Sequence, residues 1–214
     1  MNAMLMYLHK NFLTENQLMT RAMCTYEELM LWQKNGIFPL PSYRTKANYN
    51  VTSFFGEHDS NEDIKWYPEE LCQWVYLIRK KKYDIESLKA SFFYRYLIEI
   101  DKLKNLNVFD DIYNDMKLVS DILEFKWRNF IKGTYGVCTK KSTPEHIAAK
   151  DLAIRVIDRI TTKHQVKVIS QADREILARA VEILDEVIAE YAPHEYERSS
   201  RAKCIDRVRN LYLL

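Results

Sequence analysis

The chain has 214 residues, 47% hydrophobic and 29% charged, enough for a sizeable buried core. Lys plus Arg number 32 against 30 Asp plus Glu, a formal charge of +2, which excludes a polybasic nucleic-acid or membrane-surface protein. Only 4 Gly and 5 Pro argue against a turn-rich β fold and against a long disordered linker. The fold class expected is mainly α.

In chain order, the apolar start, Met1 to Leu8, is broken by His9, Lys10 and Asn11, and reads as an amphipathic first helix. Thr14 with Gln17, and Thr25 with Glu28, have the spacing of two capping boxes, in which the N-cap hydroxyl and the N3 side chain satisfy each other's backbone amides. The two short helices they open are separated by Ala22-Met23-Cys24, a helix-turn-helix pattern. The second stops at Gly36, and Pro39 and Pro41 prevent its resumption.

Residues 43–51 have a loose period of two and are separated from Ile64-Lys65-Trp66-Tyr67 by the polar stretch 56–63. That pattern predicts a two-stranded hairpin with a long acidic tip. Pro68 suits the first position of the next helix, which carries Leu71, Val75 and Ile78 and closes on Arg79-Lys80-Lys81-Lys82.

Further helices are predicted near 85–103, 108–131, 143–163 and, after Ser170 as cap, up to the break at Ala192-Pro193. A last one is predicted over 195–212. Gly133 is expected to end a helix and Gly136 to make a turn, with Tyr135 and Val137 entering the core.

Leu13–Leu18, Cys24–Pro39 and Lys65–Leu71, followed by Leu77-Ile78-Arg79 and Ile85–Lys89, together resemble the winged helix-turn-helix of the MerR family of bacterial regulators. The resemblance implies a domain at 1–92 with a small β-hairpin wing, followed by an all-helical domain at 93–214. It also implies DNA contact, for which Arg44, Lys46 and Lys65 are the wing's cations. The family's second helix usually carries an arginine that contacts DNA; Met30 stands there, and Glu27 and Glu28 lie on the same face. Residues 1–92 hold eleven Lys/Arg and eleven Asp/Glu, a net charge of zero, where phosphate contact asks for cations. The strings Gly133–Cys138 and Pro193–Arg201 are similar to those of an uncharacterised family of bacterial proteins, which transfers no activity.

In the second half, Arg198 and Arg201, beside Ser199 and Ser200, suit an anionic ligand or partner, because guanidinium binds phosphate or carboxylate bidentately. Glu195 three residues before Arg198, and Glu197 four before Arg201, equally suit ion pairs along one helix face. Gly133–Thr139, flanked by Lys132, Lys140 and Lys141, could offer amides to an anion but lacks the P-loop spacing.

Tyr135, Cys138 and His194 complete the candidate ligand or partner set. The four cysteines, Cys24, Cys72, Cys138 and Cys204, form no C-x-x-C, and the histidines His146, His164 and His194 have no metal-ligand spacing, so no metal or cofactor is expected. The leading expectation is a non-enzymatic regulatory or adaptor protein, cytoplasmic, without membrane association, that binds a protein or duplex DNA and can form a homodimer. A MerR-like transcription regulator is the alternative, and an enzyme using the Cys138/His194 region the third.

Overall fold

The structure, a computed structural model, describes residues 2–162 and 168–213. Helix α1 (Ala3–Asn11) is capped by Asn2, whose Oδ1 accepts from the Met4 amide at 2.9 Å. Strand β1 (Leu13–Thr14) leads into α2 (Glu15–Ala22), and Met23 turns the chain in the left-handed conformation into α3 (Tyr26–Lys34). Both capping boxes form. Thr14 Oγ1 accepts from Gln17 N at 3.3 Å while Gln17 Oε1 accepts from Thr14 N at 2.9 Å, and Thr25 and Glu28 repeat the exchange at 3.2 and 2.9 Å.

Strands β2 (Tyr43–Ser53) and β3 (Gly56–Tyr67) follow, and the three strands make an antiparallel sheet in the order β1-β3-β2. The acidic stretch predicted as a loop is strand. Its ladder runs unbroken from Tyr43↔Trp66 to Ser53↔Gly56, so the turn is Phe54-Phe55, with Gly56 at φ +110°. Cross-strand pairs hold the polar residues: Tyr49 donates to Glu62 at 3.0 Å and Asn50 to Asp59 at 3.0 Å. At the base of the sheet, Leu8, Phe12 and Trp66 form a small core in which α1 packs on the strands. The remaining length of the hairpin stands free as an arm.

The other elements are helical. Pro68 lies in a turn just before α4 (Leu71–Lys80) rather than at its first position. Helix α5 (Ile85–Lys104) is capped by Asp84. The helix predicted over 108–131 is divided: a 3-10 turn at Asp111–Asn114, then α6 (Met116–Ile131), each capped by its own aspartate, Asp110 and Asp115.

Gly133 ends α6 in the left-handed conformation, as predicted, but Gly136 lies inside a short helix, α7 (Thr134–Cys138), instead of a turn. Tyr135 is buried there, while Val137 is only half-buried. Helix α8 (Pro144–Thr161) starts with Pro at N1 behind the Thr143 cap; Lys163, its predicted end, and His164 lie outside the described residues. Helix α9 (Gln171–Val187) is capped by Ser170 and buries Leu177, Ala180, Val181 and Leu184.

No single helix spans 195–212. A 3-10 turn at Tyr196–Arg198 gives way to extended backbone at Ser199 (ψ 159°), then to a π turn at Ala202–Asp206 and α10 (Arg207–Tyr212). One continuous core, from Leu13 to Tyr212, joins α2–α10, with α8 packed between α5 and α9.

Candidate functional site

The arm is the feature that folding alone does not account for. Every residue from Asn48 to Asp63 is exposed, so both faces of a two-stranded ribbon stand in water. Such ribbons are marginal by themselves and present unpaired edges. Phe54 and Phe55 form its tip, 97% and 95% exposed, their rings edge to face at 5.4 Å. Tyr49 and Val51 lie on one face below them, also exposed.

The three predicted wing cations sit at the base, not the tip. Arg44 donates through Nε to Asp63 Oδ1 at 2.6 Å and pairs with the other carboxylate oxygen through Nη2. Their shared hydrogen bond raises the arginine's pKa and lowers the aspartate's. Lys65 Nζ meets Glu15 Oε1 at 2.7 Å and lies over the Tyr26 ring. Lys46 stands opposite Asp63 in the ladder. Beyond them, residues 47–62 carry Glu57, Asp59 and Glu62 and no Lys or Arg.

The five residues singled out in the second half are not assembled into one site. Tyr135 is buried on α7, and Cys138 ends that helix with its thiol 3.7 Å from Thr134 O. Lys150 lies within reach of both the Cys138 thiol and the Tyr191 hydroxyl. His194 is exposed, with Nε2 3.7 Å from Glu195. Arg198 is exposed as well.

Arg201 is already engaged: Nη2 pairs with Asp185 at 2.8 Å and Nε donates to Ala189 O at 3.3 Å. Asp185 also holds Arg209 at 2.9 Å. The predicted Glu195–Arg198 and Glu197–Arg201 pairs do not form: Glu195 and Arg201 are held by other residues, and extended backbone at Ser199 breaks the helix between Glu197 and Arg201. Glu195 instead accepts from Tyr43 Oη at 2.7 Å, which ties the end of the chain to the sheet. Burial, with the Glu195 and Glu190 carboxylates, pushes the pKa of the neighbouring Tyr7 up to about 12.

The densest polar cluster was not predicted. Asp151 on α8 accepts from Lys126 of α6 through Oδ1, and through Oδ2 from Arg155 at 2.9 Å, Tyr113 at 3.0 Å and Tyr96 at 3.2 Å. The two hydroxyls also lie 2.9 Å from each other, so their two protons are distributed over three contacts. Burial pushes the Asp151 carboxyl up, but Lys126 and Arg155 more than offset it, leaving it below the usual carboxylate range. Tyr96 is pushed well above the ordinary phenol by burial and by the Asp151 charge. Both carboxylate oxygens are engaged by side chains of the chain itself, so the cluster fastens four elements together. Its only sequence signal is the i, i+4 spacing of Asp151 and Arg155.

No group of three or more His, Cys, Asp or Glu able to hold a metal ion occurs among the described residues. No helix among them is long and apolar enough to cross a membrane.

Residues 88–213 match the model of a family of unknown function, DUF6058. The chain belongs to that family. No curated protein matches it, and neither does any solved structure. The DUF6058 segment begins within α5 and contains every member of the Asp151 cluster; the arm lies wholly outside it.

Proposed function

We propose that this chain is a non-enzymatic adaptor, built from a winged helix-turn-helix and the DUF6058 helical segment, whose arm makes protein contacts instead of DNA contacts. The observation that carries the reading is the pairing at the arm: Arg44 and Lys65 are neutralised at the base, and the far end is acidic and tipped by two exposed phenylalanines. The order α2, left-handed turn, α3, then hairpin supports the winged-helix part.

Duplex DNA presents a dense line of phosphates, and binding to it draws on unpaired Lys and Arg. An acidic ribbon repels that surface, whereas an apolar tip on a projecting stalk suits a protein pocket, where aromatic anchors supply most of the binding energy.

Titration of labelled mixed-sequence duplex DNA at about 50 and 200 mM salt, the span over which phosphate-driven affinity collapses, tests the reading. No saturable binding is expected at either salt. Binding at 50 mM that falls steeply by 200 mM, and weakens on Lys46→Ala, would overturn it in favour of a DNA-binding regulator.

A further inference from the structure

We infer that the occupant of the arm is a second copy of this chain, and that two copies exchange arms reciprocally, each tip seated in a groove of the other between α5, α8 and α9; this rests on the reading of the arm as a protein-contact element. The groove encloses about 580 Å³ and lies inside the DUF6058 segment. Its apolar floor is Phe109 and Ile176, and its rim carries Lys104, Arg159 and Arg179, with Glu175 the single acid.

The two surfaces are complementary in both respects that matter. The arm beyond residue 46 has three carboxylates and no Lys or Arg; the groove has three cations against one carboxylate. The arm ends in two bare aromatic rings; the groove has an apolar floor of a size that admits them. Two of the rim cations are held in place within the chain: Lys104 lies over the Phe109 ring at 4.6 Å, and Arg179 Nη1 donates to Leu106 O at 2.5 Å. An acidic ribbon entering this rim would gain charge-assisted hydrogen bonds and steering.

Area decides for reciprocity. A phenylalanine buries roughly 150–250 Å². Two of them and the groove surface they cover come to roughly 600–1,000 Å², which is short of a stable interface. Two such contacts related by a two-fold axis bury twice as much, about 1,200–2,000 Å², within the range of specific dimers.

Sedimentation velocity of the full chain between about 1 and 100 μM tests the inference. A monomer–dimer equilibrium is expected, with Phe54→Ser/Phe55→Ser raising its dissociation constant at least thirtyfold, the size of one lost hot spot. Both side chains are outside the core, so this variant keeps its fold, checked by an unchanged far-ultraviolet circular dichroism spectrum. Reversing the arm charges (Glu57→Lys/Asp59→Lys) or the rim charges (Lys104→Glu/Arg159→Glu) is expected to weaken self-association. Mixing the two variants is expected to restore the dimer, since each arm then meets a groove of opposite sign.

A monomer at 100 μM, a dimer indifferent to the Phe pair, or no rescue on mixing would each overturn the exchange. A monomer that also ignores DNA would remove only the choice of occupant. DNA binding that depends on Lys46 would remove the protein-contact reading itself.

Discussion

At the scale of single residues, the strongest constraint in the molecule is Asp151. Its two oxygens answer two cations and two tyrosines drawn from α5, the 3-10 turn, α6 and α8 itself. Replacing it by asparagine keeps the volume but leaves Lys126, which is 8% exposed, without its counter-charge. Breaking a buried pair from one side costs about 3–5 kcal/mol, because the remaining charge stays desolvated. Asp151→Asn is therefore expected to lower the free energy of unfolding by roughly 3 kcal/mol in urea at pH 7, while Lys10→Ala, at the exposed Lys10–Glu190 pair, changes it by less than about 1 kcal/mol.

The folded-state pKa of Asp151 is depressed, so its contribution is present above the unfolded value near 3.9 and is lost as pH falls through the folded one. The gap between wild type and Asp151→Asn should accordingly narrow on acidification below about pH 4. A gap that stays constant down to pH 2 would show that Asp151 does not titrate as its surroundings require. Only the Arg155 partnership was legible in the sequence. Lys126, Tyr96 and Tyr113 come from other elements, 25 to 55 residues away, where no local periodicity speaks.

At the scale of elements, legibility follows burial and locality. The two capping boxes were legible because every participant lies within four residues and the chemistry is local. The acidic half of the hairpin was not, because strands are read from alternation between a wet and a dry face, and this ribbon has no dry face. The terminal helix failed at Ser199 for a different reason: its spacing suits ion pairs, but Glu195 is claimed by Tyr43 and Arg201 by Asp185.

Helix α7 shows how a glycine decides docking. A Cβ on Gly136 would stand 2.0 Å from Ser42 Oγ and 2.5 Å from Pro68 Cγ, so the helix can lie against the chain entering the sheet only without one. Glycine in a helix is otherwise a loss of roughly 0.5–1 kcal/mol relative to alanine. The sign of Gly136→Ala therefore reports the contact. Destabilisation by about 1–3 kcal/mol is expected from the overpacking, measured by thermal or urea unfolding; stabilisation would mean that α7 and the Ser42–Pro68 region do not approach so closely.

At the scale of the whole molecule, the near-zero charge conceals a separation: carboxylates along the arm, cations around the groove between α5 and α9. Composition alone could exclude a polybasic protein but could not reveal this division, which exists only once the hairpin is extended and the helices are packed. The order of the N-terminal elements, two capped helices followed by a hairpin, was legible in the sequence. The use to which the arm is put was not, because the paired state of Arg44 and Lys65 depends on Asp63 and Glu15 being brought beside them.

The most direct test of the arm's role is hydrogen exchange of the backbone amides in residues 47–62, followed at about 1 and 100 μM protein and at 1 μM with excess duplex DNA. A free ribbon exchanges quickly, and a seated one is protected. The account predicts protection that rises with protein concentration, with the core helices unchanged, and no protection from DNA. Protection that appears on adding DNA, or exchange that is the same at both protein concentrations, would contradict it.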